Sequence, residues 1–187
     1  MGLMILACIW GFAEATFFFI IPDVILTFIA ISGFSVGLHA SLLALAGALI
    51  GGVVMYNFSK KNFKQAYNFV HRIPAVGEKM LLDVENSLSD KGVVALITGP
   101  IRGIPYKAFA IFSPMIGVRF PIFLLASIPA RFTRFFLTAM IAWFLANVLF
   151  DTLPTWVKYS VWAIVWIIVY IIYFSIHPWS GNKKNST

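Results

Sequence analysis

Five apolar stretches make up most of this chain, and two of them are broken near their centres by residues that interrupt helices. Residues 3–34 contain Pro22-Asp23, after which Val24 to Ile31 is too short to cross ~30 Å of hydrocarbon as a helix. Residues 93–117 contain two glycines and two prolines within seven residues, at Gly99, Pro100, Gly103 and Pro105. Each broken stretch predicts a helical hairpin that enters and leaves the membrane on one side. For residues 3–34, an ordinary spanning helix followed by an interfacial segment is the alternative.

The composition indicates a membrane protein. Hydrophobic residues make up 60% and charged residues 11% of the 187, and the mean hydropathy is +0.90. A soluble domain of this length could not bury so much apolar surface. We expect one membrane domain over residues 1–180 and a cytoplasmic tail over residues 181–187. The net charge of +7 does not indicate a nucleic-acid partner, because the bases concentrate where the positive-inside rule and anionic headgroups account for them.

Three other stretches have no such central break and are long enough to cross the membrane, residues 36–58, 120–150 and 156–176. Pro121 and Pro129 bend the first part of residues 120–150. A polar segment, residues 59–92, follows the first of them. Its apolar side chains recur at helical spacing, at Ile73, Val76, Met80, Leu81, Val84 and Leu88. This pattern predicts a basic cytoplasmic loop with an amphipathic helix on the membrane surface.

The predicted topology follows from counting crossings away from the cytoplasmic lysines Lys60 and Lys61. A hairpin followed by a spanning helix occurs twice, in opposite orientations, and residues 156–176 add a C-terminal helix. The predicted fold class is therefore an all-α integral membrane protein containing an inverted repeat of re-entrant hairpin plus transmembrane helix. The broken segments of such repeats meet near the midplane, where substrates bind.

Small residues form one face of the stretch 36–58, with a G-x-x-x-G pattern at Gly47 and Gly51. Such faces let helix backbones approach closely in a membrane. They serve either dimerisation or packing against a hairpin of the same chain, and we favour the second. A homo-oligomer stays open as an alternative.

Charges at membrane depth separate by sign between the two broken stretches. The first carries the acids Glu14 and Asp23, and the second carries the bases Arg102 and Lys107. A charge at the bilayer centre costs at least ~2.5–3.5 kcal/mol, so each of them needs a partner or a function. We expect Glu14 and Asp23 to neutralise Arg102 across the hairpin interface and to exchange protons. A static pair that fixes the fold is the alternative.

Phosphate is the ligand that these bases suit best. Arg102 can hold a phosphate bidentately, and Lys107 adds a point charge. Arg131 and Arg134 lie three residues apart on one helix face. They either extend this phosphate site toward the cytoplasm or reach to the interface. The chain contains no nucleophile–base pair, metal-ligand spacing or phosphate loop, so we expect no enzyme activity, no cofactor and no metal.

These stretches resemble the DedA family, also called VTT-domain or SNARE-associated Golgi proteins. Glu14 with Pro22-Asp23 looks like the family's region of two acids flanking a proline-rich turn, although its second acid is here Asp. The other matching segments are Gly99-x-x-Arg102-x-x-Pro105-x-Lys107, with Lys where the family has a second Arg, Gly47 to Gly51 with Tyr56, and Ala130 to Phe135. The sequences Pro105-Tyr106-Lys107 and Ala130 to Phe135 are most similar to the small bacterial YqaA-type branch. The resemblance covers roughly residues 10 to 145.

The resemblance implies a function in moving lipids. Family members are implicated in recycling undecaprenyl phosphate and in scrambling phospholipids, and their acids and arginines are thought to couple protons or hold the lipid phosphate. It also implies the prokaryotic cytoplasmic membrane, with membrane lipids and protons as partners. We therefore expect a flippase or scramblase. The alternatives are a proton-coupled carrier of a small soluble anion and a membrane assembly protein without transport. A lipid carrier requires a lateral, apolar opening, which a soluble-anion carrier does not.

Overall fold

The computed structural model describes residues 1–73 and 76–176, apart from the side chains of Ile101, Phe174 and Ile176. The predicted cytoplasmic tail, residues 181–187, lies outside the described residues. The described part is helical and contains no strand. Its helices are α1 (Gly2–Thr16), α2 (Asp23–Ala30), α3 (Phe34–Lys61), α4 (Phe63–His71), α5 (Glu78–Lys91), α6 (Val93–Ile101), α7 (Tyr106–Phe112), α8 (Phe120–Phe144) and α9 (Thr155–Ile176), and a π-helical turn at Leu145–Leu149 extends α8.

Three of these helices are long and apolar enough to cross a membrane. They are α3 with 28 residues, α8 with its π-helical extension, which has 30, and α9, of which Thr155–Tyr173 gives 19. At 1.5 Å per residue, each approaches or exceeds the ~30 Å thickness of the hydrocarbon core. The protein is therefore an all-α membrane protein. The three stretches without a central break are confirmed as helices, with ends within a few residues of those predicted.

The long helices α3 and α8 lie antiparallel at the centre of the fold. The start of α3 meets the end of α8, where the Phe34 and Trp143 rings are 5.3 Å apart. The end of α3 meets the start of α8, where the Tyr56 and Phe123 rings are 5.0 Å apart. The end of α3 also leads into α4 and α5, so we call this side of the molecule the α4/α5 end.

The chain reverses direction between α1 and α2. Helix α1 runs parallel to α3, because Gly11 faces Ala44 and Ala15 faces Gly51 further along both helices. Helix α2 returns along α8. It begins directly after Pro22 and ends at the side of the molecule opposite the α4/α5 end, so the predicted break is confirmed.

A second reversal lies between α6 and α7. The turn comprises Arg102 to Pro105, with Gly103 at φ +89°, a conformation that glycine adopts readily. Gly99 and Pro100 lie inside α6 and not at the break, which corrects the sequence prediction for these two residues. The reason is packing: a side chain at Gly99 would overlap the Phe109 ring, so this glycine lets α6 and α7 lie close together.

The small-residue face of α3 packs against α1 of the same chain. A Cβ atom at Gly47 would overlap the backbone of Cys8, and one at Gly51 would lie 2.8 Å from the carbonyl oxygen of Phe12. This close approach confirms the predicted packing within the chain. Because α1 covers Gly47 and Gly51, these glycines are buried and cannot contact α3 of a second copy of the chain.

We expect Gly47→Ala to destabilise the protein. Overpacking costs about 1–3 kcal/mol, which exceeds the ~0.5–1 kcal/mol that alanine gains over glycine in a helix. Gly2→Ala is the matched control, since Gly2 also lies in a helix and nothing lies within 4 Å of a Cβ atom there. The measurement is the midpoint of thermal unfolding in detergent. A midpoint for Gly47→Ala equal to that of the control would contradict the backbone contact.

The polar segment forms two helices, whereas the sequence predicted one amphipathic helix. Leu81, Val84 and Leu88 form the buried face of α5, as their spacing indicated. Ile73 and Val76 are also buried, but they lie in the connection between α4 and α5. Helix α5 packs against α6 and α7, and α4 packs against α7 through ring contacts of Phe63 and Tyr67 with Phe112.

Helix α9 is attached to the rest of the protein through α2. The Phe28 ring contacts Tyr159 and Trp162 at centroid distances of 4.8 and 5.1 Å. The indole N–H groups of Trp162 and Trp166 both donate to the Thr27 hydroxyl, at 2.9 and 3.0 Å. These aromatic residues of α9 are therefore a packing surface against α2, and α9 is separated from α8 by a cleft.

Candidate functional site

Two arginines of α8 form buried ion pairs with the two acids of the first hairpin. Arg131 pairs with Glu14 of α1, and Arg134 pairs with Asp23 of α2 at 2.9 Å. Both arginines lie near the centre of the 30-residue span Phe120–Leu149. The two pairs therefore lie midway along a helix that is long and apolar enough to cross a membrane.

The Glu14–Arg131 pair is enclosed on all sides. Arg131 is 0% and Glu14 4% exposed. The guanidinium of Arg131 also lies over two aromatic rings, 5.0 Å from the centroid of Tyr106 and 4.6 Å from that of Phe135. Cation–π contacts stabilise a desolvated guanidinium. The Arg131 Nε and Nη1 atoms are nevertheless buried without a hydrogen bond to any protein group described.

The Asp23–Arg134 pair is more accessible. The Arg134 side chain is 19% exposed, whereas that of Asp23 is 2% exposed. Asp23 also accepts a hydrogen bond from the Thr138 hydroxyl at 2.8 Å, and it occupies the first residue of α2, where the helix dipole favours a negative charge. Arg134 Nη1 donates to the carbonyl oxygen of Pro100 at 3.3 Å. Arg134 therefore connects both hairpins to α8.

The partner of the acids is the main correction to the sequence analysis. We expected Glu14 and Asp23 to neutralise Arg102, but Arg131 and Arg134 occupy that position. Arg102 is exposed in the turn after α6, and no ion pair of Arg102 occurs among the described residues. The physical reason is that α2 packs along α8, so the acids meet α8 before they could reach the turn of the second hairpin.

Lys107 joins the tips of the two hairpins. It is 2% exposed, and its Nζ donates to the carbonyl oxygen of Phe18, in the break between α1 and α2, at 2.6 Å. The ammonium group therefore satisfies a backbone carbonyl that the break releases from helical hydrogen bonding.

Tyr106, Ser127, Gly52 and Thr138 complete this cluster, and sequence reasoning missed all four. The Tyr106 hydroxyl donates to Ser127 Oγ at 2.7 Å, and Gly52 leaves space for the Tyr106 ring. For Tyr106, the available signal was its position between Pro105 and Lys107 in the second broken stretch. Thr138 lies one helical turn after Arg134, but this position in the sequence does not show that its hydroxyl contacts Asp23.

A lateral cleft of about 400 Å³ lies beside the Asp23–Arg134 pair. It is lined by α2, the second half of α8 and α9, and its lining is apolar except for Thr27, Thr138 and Lys158. It extends from Thr138 to Lys158. Along α8 this is ~18 Å from Thr138 to Phe150. The cleft therefore runs from the ion pair to the side of the molecule opposite the α4/α5 end.

Within residues 1–73 and 76–176, no three metal-ligating side chains are grouped so that they could hold a metal ion. Comparison of the chain with protein-family models, with curated proteins and with solved structures gives no match. The function is therefore inferred from the ion pairs and the cleft.

Proposed function

We propose that this protein moves an anionic lipid across the membrane, as a flippase or scramblase. The observation that carries the proposal is the lateral cleft, whose apolar lining ends at Thr138, which donates a hydrogen bond to Asp23 of the charged Asp23–Arg134 pair. A lipid needs both surfaces at once, because its chain stays in hydrocarbon while its headgroup passes the membrane interior. The cleft favours a lipid over a small soluble anion, which needs no apolar side opening.

An inverted repeat accounts for the pattern of helix contacts, and we propose that the chain contains one. Within each half, the first hairpin helix packs on the long helix of that half, α1 on α3 and α6 on α8. Between the halves, the second hairpin helix packs on the other long helix, α2 on α8 and α7 on α3. Together with the antiparallel order of α3 and α8, this exchange supports two re-entrant hairpins within one domain over residues 1–180.

The DedA-type resemblance agrees with this proposal. It suggests a prokaryotic cytoplasmic membrane, and a polyprenyl phosphate or a phospholipid as the substrate. A guanidinium group binds a phosphate through two hydrogen bonds. Binding of a lipid phosphate would therefore account for the two arginines midway along α8. The membrane lipid and protons are the proposed partners.

The charges suggest the following sequence of steps. Without substrate, Glu14 neutralises Arg131 and Asp23 neutralises Arg134. A lipid phosphate approaches the more accessible Arg134, helped by Arg102, and displaces Asp23. The displaced carboxylate takes up a proton, so the charge of the site stays balanced. The buried donors of Arg131 supply further hydrogen bonds when the hairpins move apart, and Lys107 keeps the hairpin tips together.

The test is translocation of a chemically trappable polyprenyl phosphate in proteoliposomes, with and without a pH gradient. We expect Arg102→Ala to lower the rate by about tenfold or more, because a hydrogen bond to a charged group contributes ~1.5–3 kcal/mol. Arg119→Ala is the matched control, an exposed arginine at the start of α8. We expect its rate to equal that of the wild type.

The outcomes separate the candidate functions. A rate that ignores the gradient indicates a scramblase, and a rate that follows it indicates proton coupling. No translocation by folded wild-type protein, for this lipid and for phospholipids, would contradict the proposal. Uptake of a soluble phosphate in that case would support the carrier of small anions, and its absence would support an assembly role.

A further inference from the structure

Helix α9 holds the cleft open. It is fixed to α2 at Thr27 by two indole hydrogen bonds and by the Phe28 ring, and the cleft lies between this contact and α8, since Thr27, Trp162 and Trp166 belong to its lining. Because both indoles donate to the same hydroxyl, they fix the position of α9 along its axis and its rotation relative to α2. The cleft is therefore a built feature of the fold and not a gap left by a loosely packed helix.

The surroundings of the cleft are hydrocarbon. None of the most apolar 18-residue window of α9 is buried inside the protein. The cleft lies between α8 and α9, two helices long and apolar enough to cross a membrane, so a membrane lipid can reach it without passing through water. Its length of ~18 Å along α8 is about half of the ~30 Å hydrocarbon core, which corresponds to the depth of one leaflet.

The outer rim of the cleft carries a positive charge. Lys158 is the charged residue of the lining, and its Nζ contacts the backbone carbonyl oxygen of Asp151 at 3.3 Å. No acidic side chain forms an ion pair with it among the residues described. Three donors and a net charge on a lysine suit a phosphate oxygen at the membrane surface.

We propose that the cleft binds a phosphate-bearing lipid of the leaflet opposite the α4/α5 end, with the phosphate on Lys158 and the chain reaching Thr27 and Thr138. The inference rests on the proposed lipid-transport function, for which it supplies the loading site. The chain ends beside the Asp23–Arg134 pair. Movement of the headgroup inward along the cleft brings the phosphate to Arg134 while the chain remains in the apolar space.

The experiment is photolabelling of the full chain in phosphatidylcholine vesicles that contain phosphatidic acid with a diazirine in its acyl chain. Mass spectrometry then locates the labelled residues. We expect the label on α8 after Thr138 and on the face of α9 toward α8. Ala142→Phe fills the cleft and should lower this labelling about tenfold, a loss of ~1.4 kcal/mol in binding. Ala163→Phe on α9, outside the cleft lining, should leave it unchanged.

A charge variant tests the headgroup contact. Lys158→Glu should lower cleft labelling by phosphatidic acid at least about fivefold, and should leave labelling by the matching phosphatidylcholine probe unchanged. Label spread evenly around α8 and α9, including the exposed Leu125 and Leu137, would overturn the inference. Cross-links between two copies of the chain through the cleft would overturn it as well.

Labelling of the cleft does not require transport. The experiments can therefore refute the binding site and the transport function independently of each other. Cleft labelling without translocation would refute the transport function and keep the binding site. Translocation without cleft labelling would refute the binding site and keep the transport function.

Discussion

Replacing Glu14 with alanine is expected to lower the free energy of unfolding by about 3–5 kcal/mol, because it leaves a buried guanidinium without its counter-charge. Arg131 is fully buried, and Glu14 is its ion-pair partner. Loss of an acid from the surface should have no comparable effect. Glu85→Ala, at an exposed position of α5, is the control, and unfolding in detergent by heat or denaturant is the measurement.

The double variant Glu14→Ala/Arg131→Met should recover most of this loss. Replacing both members of a buried ion pair with apolar groups is often neutral or stabilising. A double-mutant cycle over the four proteins gives the coupling energy directly. If Glu14→Ala is as stable as the Glu85→Ala control, the pair does not compensate the Arg131 charge and our description of the site is wrong.

Transport by this folded double variant distinguishes a functional pair from a static one. A pair that only fixes the fold can be replaced without loss of activity. An arginine whose free donors hold the lipid phosphate cannot be replaced in this way, because methionine offers no donor. We expect the double variant to be folded and inactive, and a normal translocation rate would show that Glu14 and Arg131 are structural.

The second large effect is expected for Asp23→Asn. The asparagine carbonyl still accepts a hydrogen bond from Arg134, so the fold should persist. It is neutral and cannot exchange a proton, so Arg134 has a counter-charge only while the phosphate is bound, and release of the phosphate leaves the guanidinium unbalanced. We expect translocation to fall by tenfold or more, equivalent to at least ~1.4 kcal/mol, and the remaining rate to lose its response to a pH gradient.

Asp151→Asn is the matched control for Asp23→Asn, because Asp151 lies exposed in the turn before α9. Its rate and its response to the gradient should equal those of the wild type. Proteoliposome flux at several gradients measures both quantities. A wild-type response to the gradient in Asp23→Asn would remove Asp23 from the coupling and leave Glu14 as the candidate acid.

Local chemistry explains what could be predicted about the helices. Apolar runs of sufficient length fix α3, α8 and α9, and the residues Pro22 and Gly103 mark the two reversals. Each of these signals acts over a few residues, so it is visible without knowledge of the fold. The split of the polar segment into α4 and α5 was not visible, because the apolar spacing continues through the connection that contains Ile73 and Val76.

Partner choice among the charges could not be predicted in this way. The sequence identified Glu14 and Asp23 as acids at depth, and it placed Arg131 and Arg134 on one helix face. It suggested Arg102 as their partner because both broken stretches were expected to meet at the midplane. Which base faces an acid depends on the rotation of α8 and on the packing of α2 along it, and neither is a local property.

By itself the sequence determined a helical membrane protein, with two reversals of the chain and charged residues held at depth. Hydropathy, proline and glycine are sufficient for that, since their effects are local and large compared with thermal energy. The tertiary structure alone decided which charges pair, and it created the cleft by attaching α9 to α2. Thr27 is distant in sequence from Trp162 and Trp166, and only the folded chain brings it into contact with these two tryptophans.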